Sequence, residues 1–420
     1  MFPPNPHVIV LIGPGVVADL RLLTEVADRE FAALGVDGTV SATSDLPDFR
    51  TALESQDVLV VLPGPDPEAR RLSCERSDAV RLDLTSDLAP DPTRADASLP
   101  VSVGGAGTAD GTAFAGGAGA AGGAGATGAT RAVPGTHMHG RGIWGLTWAI
   151  RHAVHRLRRP AHRVAYGDHP DQWVEVRPPY GDDGQAPAAP APDEIGGRAF
   201  AAAGEGGERV PTAVLLHGGF WRSIWGADLM DALAIDLAER GFAAWNLEYR
   251  RPDLHGWDAT TADVARGIAL AAENARGPLV VIGHSAGGQL ALRAAADDHR
   301  ITLAVSLAGV LDLAEGDRRH MSSGAVAAAL GGSLAEVPEV YRSSGPLERL
   351  PLGVPQLIVQ GGGDDLDLID FSRRYARAAQ EAGDQVTYLE MSGDHFDVID
   401  PASPIWQATV EAVAEHRAPS

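Results

Sequence analysis

Leu279-Val-Val-Ile-Gly283-His-Ser285-Ala-Gly287-Gly288 is the stretch on which the reading of this chain turns. An apolar run of strand length meets Gly-x-Ser-x-Gly, and a helical pattern follows from Gln289 to Ala296. A serine in that setting sits on a sharp, strained strand-to-helix turn, its hydroxyl raised above a sheet. The glycines supply space, because a side chain at Gly283 or Gly287 would strike the neighbouring strand or helix. The helix behind turns its first amides towards the serine.

A serine hydroxyl is a poor nucleophile until a base takes its proton. The spacing downstream supplies candidates in the order Ser, Asp, His that this kind of turn requires. Gln356–Val359 is an apolar strand, and the run Gln360-Gly361-Gly-Gly-Asp364-Asp365 that follows it ends in acids. Val386–Glu390 is the next strand, and Met391-Ser-Gly393-Asp394-His395-Phe396 follows it. Asp364 and His395 therefore fall on loops at the edge of the sheet where Ser285 sits. Asp365 and Asp367 are alternatives to Asp364. Upstream, Leu215-Leu-His217-Gly218-Gly219-Phe220-Trp221 follows another strand. Its glycines let the backbone approach a substrate, and its amides, with that of Ala286, can face a developing oxyanion. Trp221, Trp225, Tyr249 and Trp257 lie on loops after strands or on the helices behind them. They either stack on an aromatic part of a substrate or belong to the core.

Around these motifs strands and helices alternate from His162 to His416, as in a parallel sheet covered by helices. Leu313–Arg349 falls between two strands and is read as a cap over the site. Residues 161–420 thus form one α/β domain, with a polar Gly- and Pro-rich insertion near 180–208.

His162–Trp406 resembles the α/β-hydrolase superfamily. Within it, His217-Gly-Gly-Phe-Trp221 is similar to the HGGxW motif of arylformamidases (kynurenine formamidases), Gly283–Gly288 to their elbow, and Gly393-Asp-His395-Phe to their histidine loop. Tyr166-Gly-Asp-His-Pro-Asp-Gln172 resembles the opening strand of that group and of related carboxylesterases. The resemblance implies a Ser285–His395–Asp364 triad, an oxyanion hole from the amides of Gly219 and Phe220, and no metal or organic cofactor. It implies hydrolysis of a small-molecule ester or aryl formamide, with N-formylkynurenine the first substrate to test and a short-chain carboxylesterase the alternative.

Residues 1–160 carry a second, smaller α/β pattern. VIVLIGPG (8–15), DVLVVLPG (57–64), AVRLDLTSD (79–87) and GRGIWGLTWAIRHAV (140–154) resemble, in that order, type II 3-dehydroquinate dehydratases, which have a flavodoxin-like fold. The reactive groups of that family do not carry over. Ile12 and Gly15 stand where it has amides, and Asp83, followed by Thr85 and Ser86, stands where it has its histidine. The domain is read as a structural or assembly module contacting its own copy or the hydrolase-like domain; a flavodoxin-like fold of other ancestry fits the same pattern. A Gly- and Ala-rich stretch at 103–132 reads as a flexible loop, having too little apolar surface to offset its ordering entropy.

Composition excludes several classes of function. With 34 Lys and Arg against 56 Asp and Glu, the net charge is −22, which repels nucleic acid and anionic membranes. The apolar start from His7 to Val17 is too short to span a bilayer and has no basic residue before it. Cys74 is the single cysteine and cannot form an internal disulfide, which suits a reducing cytoplasm. His137-x-His139 lacks carboxylate or cysteine companions in sequence and is read as solvated rather than as a metal site. The basic run Arg151–Arg163 is read as a helix end or an interdomain contact. A non-enzymatic binding or assembly protein is the competing reading, and the Ser–Asp–His order speaks against it.

Overall fold

The computed structural model describes residues 6–55, 57–85, 136–180 and 209–415. The stretch read at 103–132, and the polar stretch beyond Tyr180 to 208, lie outside the described residues. Five strands build a first sheet: β1 (His7–Ile12), β2 (Asp37–Ala42), β3 (Val58–Leu62), β4 (Val80–Asp83) and β5 (His137–His139). All pair in parallel, in the order β2-β1-β3-β4-β5. That is the doubly wound order of flavodoxin-like folds. The helix Leu20–Leu34 begins where the Asp19 carboxylate accepts from the Leu22 amide and ends at Gly35, in the left-handed conformation. Both are the terminal devices a helix needs for its unpaired amides and carbonyls.

Eight strands build the second sheet: β6 (His162–Ala165), β7 (Trp173–Arg177), β8 (Thr212–Leu216), β9 (Ala243–Leu247), β10 (Leu279–His284), β11 (Leu303–Leu307), β12 (Gln356–Gly361) and β13 (Val386–Met391). Their order is β13-β12-β11-β10-β8-β9-β7-β6. β7 runs antiparallel to both β6 and β9, and the other neighbours are parallel. Strands β8 to β12 are buried along their whole length. This is why they read as continuous apolar runs rather than alternating ones. β10 lies inside the sheet between β8 and β11, so the residue at its end is flanked on both sides.

The helix Trp144–Arg158 joins the two sheets. Its Leu146, Trp148 and Ile150 share one core with Leu229, Met230 and Leu233 of the second domain. The basic run read as an interdomain contact is one: His152 pairs with Asp231, and Arg159 with Glu239 at 2.9 Å. Arg141, just before the helix, holds Asp228 through two bonds of 2.5 and 2.8 Å, both side chains being almost fully buried. The solvated reading of His137 and His139 is corrected. Both lie on β5 and are largely buried, and His137 Nε2 is 2.8 Å from an Asp83 oxygen. The cause is that β5 pairs with β4, which places His139 opposite Asp83, and packs against the helix Trp144–Arg158. Among the described residues no helix is long and apolar enough to cross a membrane.

Candidate active site

Ser285 stands between β10 and the helix Ala286–Asp297 with φ 55° and ψ −119°. A non-glycine residue at positive φ is strained, and such strain gathers at functional turns. The turn is also crowded. A Cβ at Gly283 would lie 1.9 Å from the Gly287 carbonyl oxygen, and one at Gly287 would lie 2.2 Å from that of Leu216. The Ser285 amide donates to Leu307 of β11 at 2.8 Å, fastening the turn to the next strand.

Asp364 follows β12 and His395 follows β13. His395 Nδ1 lies 2.9 Å from Asp364 Oδ2, which also accepts from Gln360 Nε2 at 2.9 Å. The two loops are laced together by bonds from the Gly362 amide to Met391 and from the Gly363 amide to Gly393. Burial pushes the Asp364 carboxyl upward, but the hydrogen bond and charge of His395 outweigh it, leaving it below the usual carboxylate range. Of the other two acids, Asp365 caps the helix Leu366–Glu381 through the Asp367 amide, and Asp367 accepts from Arg319 at 2.6 Å. Asp364 is therefore the acid that the fold brings to His395.

The loop after β8 lies over the turn. A Cβ at Gly218 would meet the Ser285 Cβ at 2.8 Å. Gly219, Phe220 and Trp221 all take positive φ, at 106°, 50° and 56°. Among the described residues the amides of Gly219, Phe220 and Ala286 donate to no carbonyl of a turn or loop. The loop is braced from behind by buried Glu248, which lies 3.2 Å from His217 Nε2 and accepts from the Ala227 amide at 3.0 Å and from Arg251. Tyr249 stacks on His217 and donates to its carbonyl at 2.7 Å.

The four aromatics read as pocket candidates separate. Trp221, Tyr249 and Trp257 are at most 7 % exposed and belong to the core. Trp221 donates to Gln289, whose amide donates to the Ser344 carbonyl, and Trp257 donates to the Ser344 hydroxyl. They tie the segment between β11 and β12, three short helices within Leu313–Ser344, to the sheet. Of the two readings, their burial and these bonds match the core one. Trp225 is half-buried and packs on Gly219, where an added Cβ would come within 2.4 Å of its ring.

Three groups escaped the sequence reading. His284 donates from Nε2 to the His395 carbonyl at 2.9 Å. Burial and the neighbouring His395 push its imidazole down to about 3, so it is neutral and holds the histidine loop without competing for a proton. Glu248 and Arg251 form a buried pair behind the loop after β8. His169, Asp171 and His255 bring potential metal-ligand atoms within 4.8 Å of one another, beside Arg251 rather than beside Ser285. His284, His169 and Asp171 lie within quoted motif stretches, but their partners do not follow from those motifs, since each pairing depends on which loops the sheet order brings together.

A family profile described as an alpha/beta hydrolase fold matches residues 213–399. The domain carrying Ser285 has the α/β-hydrolase fold. Esterase LipC of Mycobacterium tuberculosis is 26% identical over 281 residues, 60% of this chain and 63% of that protein. The chain thus spans less than two thirds of that relative's length. Among solved structures, a thermophilic esterase of the planctomycete Thermogutta terrifontis is 20% identical, over 61% of this chain and 90% of its own, with a TM-score of 0.45. Esterase B of Lactobacillus rhamnosis is 18% identical, over 65% of this chain and 91% of its own, with a TM-score of 0.48. The hydrolase domain is preceded by an N-terminal α/β domain, as the sequence pattern predicts.

Proposed function

We propose that this hydrolase uses a Ser285–His395–Asp364 triad to cleave a small carboxylic ester or an aryl formamide. The observation that carries the reading is the strained Ser285, at the end of an inner strand, beside a loop pair in which Asp364 holds His395 Nδ1 at 2.9 Å. With Nδ1 held, Nε2 is the nitrogen that acts. It takes the Ser285 proton as the oxygen attacks the substrate carbonyl, and it gives that proton to the departing alcohol or amine as the C–O or C–N bond breaks. Water then releases the acyl group by the same steps. The amides of Gly219, Phe220 and Ala286 hold the oxyanion. No residue of this scheme calls for a metal or organic cofactor.

The naming of the mycobacterial relative supports an ester substrate. The HGGxW motif supports an aryl formamide, and N-formylkynurenine is its first candidate. The N-terminal domain serves the hydrolase as a scaffold, and its degenerate resemblance to type II dehydratases supports that role rather than a second activity. The single cysteine suits a reducing cytoplasm. A panel of N-formylkynurenine with short and long p-nitrophenyl esters, run beside fluorophosphonate labelling, tests the proposal. Labelling at Ser285 with turnover of at least one class is expected; an unlabelled, inactive protein overturns it.

A further inference from the structure

We propose that the active site includes an aryl-binding subsite built across the domain boundary, in which Trp144 of the N-terminal domain and Phe396 receive the leaving group of the substrate. The inference rests on the proposed hydrolysis and goes on to name which substrates it favours. His395 hands its proton to the leaving group from Nε2, since Asp364 occupies Nδ1, so the other side chains that pack around its ring are where a leaving-group subsite is to be sought. Phe396 is its neighbour in sequence, and the two rings lie 5.5 Å apart, edge to face. The Trp144 indole lies 5.9 Å from the Phe396 ring and the Trp148 indole also 5.9 Å. Two tryptophans from the first domain thus meet the histidine loop of the second.

The two differ in exposure. Trp148 is buried and also packs edge-on against Trp225 at 6.5 Å. Trp144 is 55% exposed although its helix buries most of its opposite face. An exposed indole one ring away from His395 offers a flat apolar surface with a polarised ring, which suits a planar aryl partner. Its position is not accidental to the fold. Arg141, three residues earlier, donates to the Ile224 carbonyl at 2.6 Å, pairs with Asp228 and lies 4.5 Å above the Trp225 ring. Trp225 in turn packs on Gly219. The same short segment of the first domain therefore braces the loop after β8 from behind and presents Trp144 against Phe396, the neighbour of the proton donor.

Phenyl acetate and ethyl acetate share an acyl group and differ in the group that leaves. In Trp144→Ala the ratio of kcat/KM for phenyl acetate to that for ethyl acetate should fall on the order of tenfold, mostly through KM. Trp144→Phe should restore most of it. A purely structural role would lower both esters together and leave the ratio unmoved. Wild-type cleavage that depends on Ser285, with a ratio indifferent to Trp144, overturns the subsite and leaves the hydrolase reading standing. Failure of the wild type to cleave either ester, with no fluorophosphonate label at Ser285, overturns both.

Discussion

The two sheets of this protein present the same kind of edge and use it differently. In the second sheet, β10, β12 and β13 end in Ser285, Asp364 and His395, on loops held open by glycines and bonded to one another. In the first, the loops after β1 and β3 close on each other. A Cβ at Gly13 would lie 2.7 Å from the Pro63 carbonyl oxygen, and one at Gly64 would lie 2.8 Å from that of Pro14. Asp83, after β4, is held by a two-bond contact to Arg70 and by His137. The crevice of a parallel sheet supplies a place for chemistry, and the side chains at the strand ends decide whether there is any. At that edge of the first sheet Asp83 is already engaged by Arg70 and His137, in keeping with the supporting role proposed for the first domain.

The sharpest way to break the comparison is to remove the nucleophile. Ser285→Ala is expected to lower turnover on the order of a million-fold, and His395→Ala nearly as much, with the double variant little worse than either. Near wild-type turnover in purified Ser285→Ala would place the chemistry elsewhere. Asp364→Asn should cost on the order of ten thousand-fold, because the imidazole loses its orienting partner. Asp365→Asn and Asp367→Asn should stay close to wild type, since one caps a helix and the other faces Arg319. An inverted pattern would reassign the acid.

Removing the support should act on stability instead. A chain starting near Pro160 leaves Asp228 and Asp231 without Arg141 and His152, and exposes the core face shared with Leu146 and Ile150. Loss of soluble protein is expected, rather than the intact hydrolase that a purely self-associating module would leave behind. Arg141→Ala, a milder form of the same cut, should cost about 3–5 kcal/mol by leaving a buried carboxylate unpaired. Urea melts of the variant check this. A well-folded, fully active 160–420 chain, or an unchanged midpoint in Arg141→Ala, would detach the two domains functionally. Turnover of 3-dehydroquinate by the intact protein would restore chemistry to the first sheet.

Sequence legibility followed how local each feature is. The turn at Ser285 is written in five consecutive residues, and the alternation of strands and helices in both domains follows from apolar runs separated by helical patterns. His395 and Asp364 were legible because each comes just after a strand. Trp221, Tyr249 and Trp257 were not resolved, because position after a strand does not say whether a ring faces the crevice or the layer beneath it. His137 and His139 were misread for a related reason: a three-residue strand has too little length to display a pattern. Arg141, Trp144 and His284 fall inside quoted motif stretches that say nothing of their partners, and their placement depends on a crossing between elements more than 80 residues apart.

The smallest effect concerns acid. Asp231 is buried where the domains meet, paired with His152 and 3.7 Å from Arg177. Burial pushes its carboxyl up, but the charges of His152 and Arg177 outweigh burial and hold it below the usual carboxylate range. A carboxyl whose folded pKa is depressed binds its proton more readily in the unfolded chain. Its contribution is therefore complete above the unfolded value of about 4 and is lost as the pH falls through the lower folded value. Asp231→Asn should be less stable than wild type at pH 5, and the gap between their urea midpoints should narrow steadily below about pH 4. Asp48→Asn, an exposed acid in the first turn of a helix of the N-terminal domain, is the control and should show little gap at either pH. A gap for Asp231→Asn that stays constant down the acid limb would mean that the pair contributes by packing and hydrogen bonding alone, not by charge.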